Sequence, residues 1–169
     1  MSEPPIDTSK LLARATTNDP KAVSALFSGF MGNEEQLLDC GYLGTLGFIF
    51  VEHSFWCVTP YRACSLMIKR GGECSFTSGY LEHINSEAFY QPSLVMLWVV
   101  IVIVALFTWG IGLLLTPWIV KNYYKLRKSG VVFWVGQGIP IYVFADRKNL
   151  RRAQQVAIQI GKAKKNLLT

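Results

Sequence analysis

The chain has 169 residues, is 51% hydrophobic and 13% aromatic, and carries a formal charge of +6. That apolar content excludes a disordered chain, and the length holds one modest domain plus a membrane element. The charge is split: residues 1–93 hold six Lys/Arg and ten Asp/Glu, whereas residues 117–169 hold eleven Lys/Arg and one acid, Asp146.

Residues 1–18 are polar and contain no basic stretch followed by an apolar one, which argues against a cleaved secretory signal. They read as a flexible tail. Asp19 then offers a cap, Pro20 a first helical turn and Gly32 a stop, with Val23, Leu26, Phe27 and Phe30 on one face, so a short helix is expected.

From Gly41 to about Tyr80 the pattern is that of strands. "TLGFIFVE", "SFWCVT", "ACSLMIKR" and "ECSFTSGY" are rich in β-formers, with turns at Thr59–Arg62 and Lys69–Gly72. This predicts an antiparallel meander. Counting out from the first turn places Cys57 opposite Cys64. No CxxC occurs, His53 and His83 have no ligand spacing, and cysteine is often a small buried hydrophobe, so no metal site and reduced thiols are expected.

Residues 93–120 carry the strongest signal. "LVMLWVVIVIVALFTWGIGLLLTPWIV" has 27 residues and no charge, which reads as membrane-embedded. Trp98, Trp109 and Trp118 are candidate interface aromatics. Lys121, Lys125, Arg127 and Lys128 follow at once, a basic exit that marks the cytoplasmic side and suits anionic lipid. "VVFWV" and "IPIYVF", joined by Gly136-Gln137-Gly138, predict a hairpin. After a cap at Asp146, Leu150, Ala153, Val156, Ala157 and Ile160 predict an amphipathic C-terminal helix.

The apolar run either crosses once or enters and returns. A straight 27-residue helix is about 40 Å long, which tolerates a tilted crossing. Split at Trp109-Gly110-Ile111-Gly112, the run gives arms of 15 and 8 residues, which suits a shallow re-entrant hairpin. Residues 19–92 lack a covering helix beyond the short one, and residues 121–169 bury little alone. A hairpin puts both parts on the cytoplasmic side, where they complete one domain, and is the favoured reading. The alternative is a single crossing with an exported, disulfide-linked N-terminal domain.

"HSFWCVTPYRACSLMIKRGGECSFTSGYLEHI" resembles the T-x-x-R strand pair of small bacterial membrane-anchored proteins with a pleckstrin-homology-like (PH-like) domain, and "GVVFWVGQGIPIYVFADRKNLRRAQQVAIQI" resembles their last strands and helix. The resemblance covers about residues 38–92 and 121–165. In those proteins the membrane helices commonly precede the domain, whereas here the apolar run interrupts it. The resemblance implies an α+β fold: a PH-like β-sandwich or open barrel closed by a C-terminal helix and interrupted by the hairpin. It also implies a binding or scaffolding module, contacting protein or anionic headgroups, and no catalysis.

The functional expectation is a membrane-anchored scaffold subunit with the bulk of the chain on the cytoplasmic face. Its partners are the anionic bilayer and a protein partner or a second copy. A lipid-headgroup sensor is a further alternative. Lys69 and Arg70 are candidate headgroup contacts, against the plainer reading of a solvated turn. Arg147, Lys148, Arg151 and Arg152 form a candidate partner patch, against that of a solvated helix face. Nothing points to nucleic acid, an enzyme or a cofactor: there is no phosphate loop, nucleophile elbow or metal motif, and Glu82, His83 and Glu87 read as a polar turn.

Overall fold

The computed structural model describes residues 8–32, 35–47, 51–126, 129–136, 138 and 140–168, with residues 8, 124–126 and 168 as backbone only. Two short helices come first, α1 (Thr8–Thr16) and α2 (Pro20–Ser28). α2 starts as its sequence dictates. The Asp19 carboxylate accepts from the Lys21 amide at 3.0 Å, and Pro20 takes the first turn, where a missing N–H costs nothing.

α1 departs from the expected tail. Nine residues are marginal as an isolated helix, so packing decides the matter: Leu11, Leu12 and Ala15 lie against the sheet. Asn18, at φ +64, turns the chain, and its side-chain carbonyl accepts from the Tyr42 amide at 2.9 Å.

Strands β1 (Asp39–Leu46), β2 (Glu52–Val58), β3 (Arg62–Lys69) and β4 (Cys74–Tyr80) form an antiparallel sheet in sequential order. Cys57 stands opposite Cys64, and the four cysteines are unbridged. The first strand begins six residues earlier than "TLGFIFVE" suggested, and residues 48–50 of that stretch lie outside the described residues. Its glycines hid it. Gly44 has φ +114, and a Cβ there would strike the Asp146 carboxyl, so the site admits only glycine.

β5 (Ile84–Tyr90) was not foreseen, because "INSEAFY" is a polar edge strand with mostly exposed side chains. Next come α3 (Leu94–Phe107), a 3₁₀ turn over residues 111–115, and α4 (Thr116–Leu126). β6 (Ser129–Val135) and β7 (Ile141–Ala145) complete a second antiparallel sheet in the order β5-β6-β7. α5 (Leu150–Leu168) follows a short turn in which the Asp146 carboxylate accepts from the Asn149 amide at 2.9 Å. Gln137 of the expected glycine loop lies outside the described residues.

The two sheets enclose a core of Leu43, Trp56 and Val58 against Val131, Phe133, Ile141 and Val143, closed by Ala153, Val156 and Ile160 of α5. The Ser65 hydroxyl donates to the Tyr142 carbonyl at 2.7 Å, and the Asp146 amide to the Leu43 carbonyl at 3.0 Å. The outer face of the first sheet, with Phe55, Cys57, Cys64 and Leu66, is covered by Val23 and Phe27 of α2 and by α1. Arg62 and Glu35 pair across the rim, and this holds the Glu35 carboxyl below its usual range.

The expectation of a membrane-embedded segment, crossing once or as a hairpin, finds no support in the length of these helices. No helix among the described residues is long and apolar enough to cross a membrane. α3 has 14 residues, about 21 Å against an apolar core of about 30 Å. The apolar run does not continue as one straight helix. It reverses at Trp109 and Gly110, whose φ values are +54 and +86.

Candidate functional site

The reversal is built from residues that end a helix. The Thr108 hydroxyl donates to the Val104 carbonyl at 2.6 Å and accepts from the Gly112 amide at 2.7 Å, replacing helical bonds lost at the turn. Gly110 takes a left-handed conformation that most residues resist, and its amide reaches the Ala105 carbonyl at 2.8 Å. Pro117 does not break the return arm. It sits in the first turn of α4, which suits proline, and "KNYYKL" carries the helix on to Leu126.

Leu97 and Ile101 of α3 pack against Ile119 and Tyr123 of α4. The Tyr123 hydroxyl donates to the Ser93 carbonyl at 2.9 Å and pins the root. Two helices this short bury only one stripe each. The remaining apolar surface is open: Trp109 is 95%, Phe107 85% and Leu114 82% exposed, and Val95, Leu106 and Ile111 are also exposed. Exposed apolar residues in this number are a feature that interaction sites commonly show. Trp109 stands at the tip, Trp98 near the root and Trp118 in the first turn of α4, each with more than half its surface open.

At the root lies a cleft of about 540 Å³ lined by Thr45, Pro117, Val120, Lys121, Asp146, Arg147 and Lys148. It joins residues far apart in sequence: the end of β1, the start of α4 and the turn before α5. Lys121 and the Arg147–Lys148 pair, read separately in the sequence, thus share one wall. The Asp146 carboxylate is the acid among them, and it is engaged by the amide and side chain of Asn149, each at 2.9 Å.

Register places Lys69 and Arg70 on the same edge. Thr45 pairs with His53, His53 with Ile68, and Ile68 with Cys74. Two strand spacings of about 4.8 Å separate β1 from β3, so Lys69 lies about 10 Å across the sheet from the end of β1 that lines the root cleft. Lys69 pairs with Glu73 at 2.7 Å, and Arg70 has no acidic partner among the described residues. Burial lowers the His53 pKa and pushes the Tyr42 hydroxyl, which hydrogen-bonds His53 Nδ1 at 3.1 Å, up to about 12. Neither contributes charge near neutral pH, so the charge of this edge is set by its lysines and arginines together with Asp146, Glu52 and Glu73.

The other expected residues divide. Arg151 is exposed on α5, whereas Arg152 is partly buried beside Gly41 of β1. Arg127 and Lys128 lie outside the described residues, and Lys125 is described only as helical backbone. Thr45, Pro117 and Asp146 were missed as cleft walls, because only tertiary packing brings them together. Among the described residues, no group of three or more His, Cys, Asp or Glu side chains is placed to hold a metal.

The fold and this edge define a small α+β protein of two antiparallel sheets with an apolar helical hairpin between β5 and β6. Comparison with protein-family models gives no match, and neither the curated proteins nor the solved structures contain a match.

Proposed function

We propose that the protein is a membrane-anchored binding module of the PH-like kind, held to an anionic bilayer by its hairpin and serving as a scaffold for a protein partner or a second copy. The observation that carries this reading is the exposed apolar hairpin rooted beside the cleft of Lys121, Arg147 and Lys148. Among the described residues, seven strands in a four-plus-three arrangement, with a C-terminal helix against the core, support the PH-like assignment.

The hairpin anchors without spanning. Lys121 lies half a turn beyond Ile119, which packs on Ile101, so about eight residues of α3 and the turn reach past the charged level. That is about 12–15 Å, the depth of one leaflet. The tip enters the acyl region while Lys121, Arg147 and Lys148 meet the headgroups. Each such cation contributes about 1 kcal/mol on an anionic surface.

Vesicle flotation tests this. The protein floats with phosphatidylcholine vesicles and binds more tightly when phosphatidylglycerol is included, and salt weakens only the second effect. Replacing Lys121→Glu with Lys148→Glu removes the anionic increment and leaves the basal flotation. A protein that stays at the bottom of the gradient with both vesicle types refutes the reading.

A further inference from the structure

A second cleft opens on this edge, between the helix pair and the β3–β4 turn. It measures about 580 Å³, within the range of small-molecule sites. Leu11 and Leu12 of α1, Leu26 of α2, Phe30 just beyond that helix, and Ile68 of β3 wall it, above Leu66. The first three and Ile68 are only partly buried, so their apolar surface is not used up by the core. Its mouth is the turn of Lys69, Arg70, Gly71 and Gly72. A Cβ on either glycine would meet nothing within 4 Å, so the turn leaves the entrance open.

We propose that this cleft binds the alkyl chain of a free long-chain carboxylate, with Arg70 at the mouth pairing its head group. The lining selects the tail. A peptide would bury backbone amides against walls with few partners, whereas an alkyl chain has no polar group to satisfy. The mouth selects the head. Lys69 is already paired with Glu73, and Arg70 offers a guanidinium fork, with no acidic partner among the described residues, that matches a carboxylate. A basic residue at the mouth fits a chain with one anionic end. This inference stands whether or not the hairpin enters a bilayer.

The test uses the full chain in phosphatidylcholine nanodiscs with a diazirine-bearing hexadecanoic acid as probe, cross-linked peptides being mapped by mass spectrometry. Saturable labelling within residues 25–30 and 66–74 is expected, competed by unlabelled hexadecanoate but not by hexadecanol. Arg70→Gln weakens it about tenfold, the effect of losing one charged hydrogen bond. Leu26→Trp, which fills the cleft, abolishes it with an unchanged circular-dichroism spectrum. Labelling that does not saturate, that hexadecanol competes equally, or that survives both substitutions overturns the proposal. So does labelling of the cleft only by a diazirine-bearing phosphatidylglycerol, which makes the occupant a bilayer lipid, or a Leu26-dependent dimer that hexadecanoate leaves intact. Labelling of residues 94–118 in the same digest reports separately on insertion of the hairpin.

Discussion

Leu114→Asp separates an immersed hairpin from one that stands in water. Leu114 is 82% exposed in the turn between α3 and α4 and belongs to none of the three buried apolar clusters. In water, an exchange at so open a position changes stability by no more than about 0.5 kcal/mol. In a bilayer the same exchange replaces a residue favoured by about 0.5 kcal/mol with one disfavoured by about 3 kcal/mol at full depth. Allowing for a tip that reaches one leaflet, the loss is about 3 kcal/mol, or about 150-fold in partitioning. Quantitative flotation with phosphatidylcholine vesicles reads this directly, beside denaturant unfolding in mild detergent. Ile158→Asp on α5, 59% exposed and remote from the turn, is the control. Flotation of Leu114→Asp equal to that of the control refutes immersion of the tip.

Phe27 is fully buried between α2 and the outer face of the first sheet, so Phe27→Ala lowers unfolding stability by about 3–5 kcal/mol, read from the denaturant midpoint. Glu35 has its carboxyl pKa lowered chiefly by Arg62, so its contribution is complete above the unfolded value near 4.5 and fades as pH falls through the folded one. Glu35→Gln therefore costs about 1 kcal/mol at pH 7 and flattens the acid limb of stability against pH; an unchanged acid limb contradicts the pairing. Cys74 is exposed whereas Cys57 and Cys64 are buried, so an impermeant thiol reagent modifies Cys74 first and the buried pair only on denaturation, as peptide mapping would record.

The elements that the sequence revealed are those whose chemistry is local. Asp19-Pro20 and Asp146 cap helices by direct side-chain bonds, and Thr59–Arg62 and Lys69–Gly72 close turns within four residues. β2 and β3 read as strands although their apolar residues do not alternate cleanly, because the helix pair covers one face and the second sheet the other. What stayed hidden depends on distant partners. α1 is a helix because a sheet lies beneath it, β1 carries Gly44 because Asp146 crosses it there, and β5 is too polar to signal a strand without β6. The basic residues of the candidate edge were visible singly, but their convergence follows from register and from the packing of α4 near Thr45.

The hairpin's place in the chain supplies one more test. α3 departs from β5 and α4 returns to β6, and these strands are antiparallel neighbours, with Tyr90 paired to Gly130. In topology the whole insertion is the loop of a β-hairpin. Its internal cluster of Leu97, Ile101, Ile119 and Tyr123 shares no residue with either sheet core. Replacing residues 92–127 with Asn-Gly leaves a connection of about five residues, well suited to a hairpin. Shortening the loop this far lowers its closure entropy by about 2 kcal/mol. Against that stands the loss of the cleft wall that Pro117 and Val120 form beside Thr45. The shortened protein is therefore expected to unfold cooperatively at a denaturant concentration close to that of the intact chain, and to lose flotation with phosphatidylcholine vesicles. Loss of the folded state itself would show that the hairpin is part of the domain's core rather than an appendage of it, and the separation of fold from anchor would be wrong.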